Sequence, residues 1–393
     1  MGPFDLIAGV ALAPIALIDG AFLLETGLGL RPDRSPPPPA RDKQVVVLVP
    51  AHNEERTLAA SGAGLVRLQS ASTRVVLIAD NCSDATAAVA RGMGLEVIER
   101  QDAVRRGKGY ALAFGRDHIA ASPPDVVVVV DADCEIDPAG LARLTDTVMA
   151  TGRAAQAAYL FRPAPSAPPV VQISNFAFFV KNRIRQRGIQ RLGGAAILTG
   201  SGMAFPWAPY AALDLATGNV VEDLAIGIGL IELGQPAGYF DAATVRSDCS
   251  SDDGSSTQRA RWEGGFLAMA RRHGLGLLGS GIARGNWARF WMGVHLCVPP
   301  LSMLLAANVA ITLLLAVAAL LGVSLVPLIV AVVLLGLLGA VVVLAWAGEG
   351  RMHLHRDAAV RLPRYLVWKL AMYARLLTGR QRVAWTRTER IDP

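Results

Sequence analysis

The chain has 393 residues, of which 52% are hydrophobic and only 18% charged, with 38 basic and 32 acidic side chains giving a net charge of +6. That composition excludes an ordinary, wholly soluble globular protein, and the length leaves room for a catalytic domain with attachments. The basic residues cluster beside apolar segments, which argues for an anionic membrane surface as partner and against nucleic acid. Cys82, Cys134, Cys249 and Cys297 form no CxxC pair and no zinc spacing, so free thiols in a reducing compartment are expected.

Residues 6–18, LIAGVALAPIALI, are apolar, with Asp5 before them and Asp19 and Glu25 after. A charge at mid-bilayer costs roughly 2.5–3.5 kcal/mol on insertion scales. The expectation is an N-terminal membrane segment within 1–30, with Asp19 turned towards another helix; a helix lying in the interface is the alternative. No basic region precedes it, so it does not read as a cleaved signal. Residues 31–43, with Pro36 to Pro39 in succession, read as a stiff linker.

Between 44 and 285 strand-like and helix-like patterns alternate. VVVLVP (45–50), RVVLIAD (74–80), LEVIER (95–100) and the valine run from Val126 predict strands. NEERTLAASGAGLVRLQ (53–69), SDATAAVARGMG (83–94) and GKGYALAFGRDHIA (107–120) predict helices, the second capped by Ser83 or Asp84. This rhythm argues for a mostly parallel sheet flanked by helices. Ligands of such sheets bind beyond the carboxyl ends of the strands, where this sequence gathers PAHNEE, Asp80-Asn81 and Asp131-Ala132-Asp133.

Two carboxylates at i and i+2 can reach one hard cation as the chain turns, and oxygen donors facing a diphosphate suit Mg²⁺ or Mn²⁺. A lone DxD is weak evidence. An aspartate-nucleophile phosphatase is disfavoured because Glu135 stands where Thr or Val is needed, and no GxGxxG follows the first strand to support a dinucleotide site. TGSGMAFPW (199–207) is a small-residue turn that lets a substrate approach the backbone, with Gly202 as the acceptor-side candidate. Glu222 and Asp223 open a helical pattern; a dipole-favoured cap is the plain reading and a general base for an acceptor hydroxyl the functional one. QRARWEGG (258–265) adds arginines for phosphate and an aromatic face.

Residues 294–321 and 325–347 are apolar and joined by a short link at 322–324, which predicts a membrane hairpin within 290–347. Residues 348–393 are basic, and RLPRYLVWKLAMYARLL (361–377) predicts an amphipathic helix on the membrane surface. The basic clusters at Arg31–Lys43, Arg284/Arg289 and Arg351–Arg364 fall on one side if the N-terminus is outside, so residues 44–285 are expected to face the cytoplasm from a multi-pass cell-membrane protein.

Taken together, the motifs resemble the family 2 glycosyltransferases, a membrane-attached, inverting group including cellulose synthase-like and ceramide glucosyltransferase-like enzymes. The resemblance covers roughly 44–270 and implies a GT-A fold, an α/β Rossmann-like mixed sheet flanked by helices, here with transmembrane helices at both ends. PAHNEE looks like the motif in which Pro50 and Ala51 line the nucleobase and Glu54 lies near the ribose. By the same likeness Asp80 contacts the base, Lys108 lies near the nucleotide, and Asp131 and Asp133 hold metal and diphosphate. Glu222-Asp223 looks like the family's ED pair, implying Asp223 as base; QxxRW implies phosphate contact by Arg261 and an acceptor platform of Trp262 with Gln258.

The implied reaction is metal-assisted transfer from a nucleotide-sugar, with UDP-sugars first among donors, to a lipid-linked or polysaccharide hydroxyl. The acidic Ser-rich stretch 247–257 departs from the expected approach to QxxRW. The two clear spans after the domain favour single-sugar transfer over a processive synthase. A non-catalytic nucleotide-binding scaffold is the reading from another class.

Overall fold

The computed structural model describes residues 3–33, 39–219, 221–249 and 252–377. An eight-stranded mixed sheet forms its centre. Strands β1 (Val45–Ala51), β2 (Thr73–Asp80), β3 (Glu96–Arg100) and β4 (Val126–Val129) run parallel in the spatial order β3-β2-β1-β4. Val126 to Val130 have no exposed surface, as a strand covered on both faces requires, and each contributes roughly 1.5–3 kcal/mol of burial.

Beyond β4 the sheet departs from parallel pairing. Strands β5 (Cys134–Ile136), β6 (Ala155–Phe161), β7 (Met203–Pro206) and β8 (Gly238–Ser247) follow in the order β4-β7-β6-β8-β5. β7 is antiparallel to both β4 and β6, and β8 is parallel to β6. The aspartates after β4 therefore lie in the middle of the sheet's edge, where the two halves meet.

Helix α1 (Pro3–Gly29) precedes the sheet. α2 (Glu55–Ser61), α3 (Ala63–Val66) and α4 (Thr86–Gly92) share one face with α6 (Pro138–Thr151), against Val45, Val47 and Val49; α5 (Lys108–Ile119) covers the other, against Val46 and Leu48. Neither expected cap holds: α4 starts after Ala85, while Asp84 accepts from the Thr86 amide at 3.0 Å. Asp137 does cap α6, accepting from Gly140 N at 2.7 Å. α7 (Pro169–Phe179) continues through a wide π turn (Val180–Arg185) into α8 (Gln186–Arg191). α9 (Trp207–Ala212) and α10 (Glu222–Glu232) complete the domain, and α11 (Asp252–Ala283) leads out of it.

The expected apolar span 294–321 is two helices instead. α12 (Trp287–Cys297) stops at Val298-Pro299-Pro300, and α13 (Leu301–Leu320) begins beyond it. The prolines remove amide donors and force Val298 extended, so one continuous helix cannot form. α14 (Leu325–Gly348) returns as anticipated. Among the described residues, three helices are long and apolar enough to cross a membrane: Leu12–Gly29, Leu301–Leu320 and Leu325–Gly348. Asp19 faces another helix, accepting from Asn308 Nδ2 of α13 at 2.9 Å.

After the short α15 (Arg356–Ala359), α16 (Leu362–Leu377) departs from a helix simply laid on a surface. Val367 and Leu370 are exposed, but Tyr365, Lys369 and Tyr373 are buried. Lys369 pairs with Glu263 of α11 at 2.5 Å, and Tyr373 bonds Ser302 of α13 at 2.7 Å. The N-terminal helix is fastened too: a Cβ at Gly29 would overlap the Ile184 carbonyl, and one at Gly188 the Glu25 carbonyl. Glu25 is also ion-paired to Arg185 at 2.5 Å. Residues 34–38 of the linker and 378–393 of the basic tail lie outside the described residues.

Candidate active site

A cavity of about 410 Å³ runs along the carboxyl edge of the sheet and extends between the apolar helices. At its first end, β1 and β2 deliver Pro50, Ala51, Glu54 and Asp80 to the wall. Asn53 and Asn81 take left-handed backbone conformations (φ 55° and 53°) that turn the chain out of the two strands. The Asn53 side chain accepts from Ser83 N at 2.8 Å, and that of Asn81 from Asp102 N at 2.8 Å. Asp80 accepts from Arg100 Nη1 at 2.7 Å. His52 Nδ1 lies 2.7 Å from the Asp80 carbonyl.

Midway, Asp131 and Asp133 line the cavity where the chain leaves β4. Carboxylate oxygens of these two and the sulfur of Cys134 lie within 4.8 Å of one another. Cys134 is buried, and burial pushes its thiol well above the ordinary range, so it stays protonated and donates to Asp133 at 3.3 Å. That leaves an oxygen pair suited to a hard divalent cation.

The turn carrying Gly200 and Ser201 is tied to this motif. Ser201 Oγ accepts from Asp131 N at 3.1 Å, and Lys108 Nζ donates to Gly200 O at 2.7 Å. Buried Gln156, which the sequence reading missed, holds the turn by accepting from Thr199 N and donating to Ser201 O at 2.9–3.0 Å. Gly200 (φ 83°) faces the cavity, where a Cβ would lie 3.6 Å from Asp223 Oδ2. Gly202 (φ 71°) does not line it: a Cβ there would be 2.6 Å from Val245 Cγ2, so this glycine serves packing between strands.

Lys108 bridges the two acidic motifs, 2.5 Å from Asp131 Oδ1 and 3.6 Å from Glu222 Oε1. Burial works against its charge, but Asp131, Glu222 and Asp223 outweigh it and hold the ammonium above the ordinary lysine range. Burial raises all three carboxyls in turn, taking Glu222 to about 7. Asp223 sits in the first turn of α10, where its Oδ1 accepts from Leu224 N at 2.8 Å.

α11 brings Arg261 and Trp262 to the same wall. Trp262 stacks with Phe178 (5.9 Å, 29°) and Phe161 (6.3 Å, 24°). The Gln258 side chain and residues 250–251 of the Ser-rich stretch lie outside the described residues. Lys181, Arg185 and His295 also line the cavity, and the sequence reading assigned none of them to the site. The single signal was a cation, Lys181, following an otherwise apolar run from Phe176.

Residues 41–265 match the family described as Glycosyltransferase like family 2. Among solved structures, a mannosyltransferase from Pyrobaculum calidifontis, solved with GDP-Man and Mn²⁺, is similar with a TM-score of 0.54 at 19% identity, over 87% of this chain and 99% of that one. This likeness is one of fold. Glucosyl-3-phosphoglycerate synthase from Mycobacterium tuberculosis, solved with Mn²⁺, UDP and phosphoglyceric acid, gives a TM-score of 0.39 at 17% identity, over 57% of this chain and 78% of that one. No curated protein sequence matches significantly.

Proposed function

The chain belongs to glycosyltransferase-like family 2, and from that premise we propose that it transfers one sugar from a nucleoside-diphosphate donor to a hydroxyl presented at a membrane, by single displacement with inversion. The observation that carries the reading is one cavity containing both Asp131/Asp133 and Asp223, with Lys108 between the acidic groups. Pro50, Ala51, Glu54 and Asp80 form the nucleoside end, and Arg261 meets the diphosphate.

Asp131 and Asp133 would hold a divalent ion, Mg²⁺ or Mn²⁺, whose positive charge offsets that developing on the leaving diphosphate. The mannosyltransferase of similar fold was solved with Mn²⁺ and GDP-Man, so both GDP- and UDP-sugars belong in a donor screen. Asp223 accepts the proton of the acceptor hydroxyl as its oxygen attacks the anomeric carbon. The bond from that carbon to the diphosphate breaks, and the nucleoside diphosphate leaves. Glu222, beside the base, keeps Lys108 oriented. Trp262 gives the acceptor a flat apolar platform.

Membrane attachment is supported by the three apolar helices, and a cytoplasmic catalytic domain by the one-sided basic clusters. Asp223→Asn is the deciding variant: transfer should fall by about 10²–10⁴-fold while nucleotide binding, followed by calorimetry, persists. Undiminished transfer would remove Asp223 from the mechanism.

A further inference from the structure

We infer that the membrane-side end of this cavity receives the head group of an acceptor lipid that carries a phosphate ester beside its reacting hydroxyl; the inference rests on the glycosyl-transfer reading above. Two of the apolar helices contribute directly to this end of the cavity, α1 through Phe22 and α13 through Leu301 and Ser302, and α16 adds Tyr365. A water-soluble acceptor has no use for walls supplied by membrane helices, whereas an alkyl chain fills them favourably.

Two side chains at the same end each keep a nitrogen with no hydrogen-bond partner among the described residues. Lys181 and His295 flank one ring, Phe266: the Lys181 ammonium lies 5.7 Å from its centroid, and the His295 ring meets it edge-on at 6.3 Å and 89°. Lys181 makes no hydrogen bond or ion pair among the described residues. His295 is only 1% exposed. Its Nδ1 lies 3.1 Å from Arg185 Nη2 and 3.3–3.4 Å from both carboxylate oxygens of Glu25. Its Nε2 has no hydrogen-bond partner among the described residues.

Asp223, which lines the same cavity, attracts the Lys181 ammonium electrostatically, while two other neighbouring charges have partners of their own. Arg185 is committed to Glu25 at 2.5 Å, and Glu263 to Lys369 at 2.5 Å. An ammonium that faces a confined space with no hydrogen-bonded anion calls for an anionic oxygen. A neutral lipid would leave Lys181 without one, and a soluble phosphate would leave the apolar walls unfilled. A phosphate-bearing lipid satisfies both conditions and presents its adjacent hydroxyl towards Asp223, which lines the same cavity.

The test reconstitutes the full chain in phosphatidylcholine vesicles containing phosphatidylglycerol, phosphatidylinositol or diacylglycerol, with Mn²⁺ and the labelled donor found in the screen; glycerol 3-phosphate is the tail-less control. Label should enter the lipid extract with the anionic hydroxyl-bearing lipids at a rate at least about tenfold above diacylglycerol or glycerol 3-phosphate. Lys181→Met should raise the KM for lipid about tenfold, and Lys181→Arg should restore it to within about threefold. Retained nucleotide binding by Lys181→Met confirms that the variant is folded. Equal transfer to diacylglycerol or glycerol 3-phosphate, or an unmoved lipid KM in Lys181→Met, overturns the inference. In that event a transfer still abolished by Asp223→Asn leaves the glycosyl-transfer reading standing, whereas indifference to Asp223→Asn removes that reading by itself.

Discussion

The two ends of the cavity are built in opposite ways. At the nucleotide end, charges answer one another: Asp80 with Arg100 at 2.7 Å, and Asp131 with Lys108 at 2.5 Å. Asp80, Arg100 and Asp131 come from strand ends, and Lys108 from the first turn of α5. The membrane-side end is assembled from residues scattered over α1, α7, the π turn, α11, α12, α13 and α16. Among the described residues its Lys181 ammonium makes no hydrogen bond and its His295 Nε2 has no hydrogen-bond partner. A chain that folds around a common donor can fix that site in local motifs. A site that distinguishes acceptors has to be shaped by long-range packing.

The largest expected effect concerns the first end. Asp133→Ala, or chelation of the divalent ion, should lower transfer about 10³-fold, measured as initial rates with labelled donor. A rate within threefold of the parent would dissolve the contrast, because no hard-cation site would then distinguish this end.

Next comes the fastening of the other end. Gly188→Ala forces α1 away from α8 and should cost about 1–3 kcal/mol, read as a lowered Tm in detergent. An unchanged Tm would mean that the Gly188–Glu25 backbone contact is not essential to the packing of α1.

Glu222 offers a smaller effect with a definite sign. Burial raises its carboxyl from 4.5 to about 7. Its contribution to stability is therefore complete below pH 4.5 and is lost as pH rises through 7. In metal-free protein the Tm of Glu222→Gln should gain on the parent by a few degrees between pH 5 and pH 8; parallel pH curves would refute the assignment.

Smallest is Trp262→Ala. Loss of its aromatic contacts, worth about 0.5–1.5 kcal/mol, should raise the acceptor KM some 3- to 10-fold with little change in kcat. A predominant kcat effect would move Trp262 from platform to chemistry.

This division also decides what could be read in the sequence. The valine strand and the carboxylates after it were legible because a parallel strand needs a continuous apolar run and its ligand edge is fixed by topology. The antiparallel β7 between β4 and β6 was not, since its Met203–Pro206 segment is too short to show a period. Gly202 looked like an acceptor contact from composition alone, yet only the packing of the turn before β7 against β6 and β8 reveals Val245 where its side chain would be. Lys181 and His295 were invisible for the same reason: 114 residues separate them in the chain, and a shared contact with Phe266 unites them. The α12–α13 break could have been read from Pro299-Pro300, but the apolar run around it masked the signal.

The glycine contacts of α1 have a mechanical consequence. At Gly29 and Gly188 main chain lies against main chain, with no side chain between to slide or swing. Glu25 and Arg185 add an ion pair beside those contacts. α1 is therefore held to α8 and the π turn by close backbone packing and an ion pair, and not through the linker alone. Under the proposed reaction such a molecule would measure: a hydroxyl carried too near its anchor or too far from it would miss Asp223, whatever its chemistry.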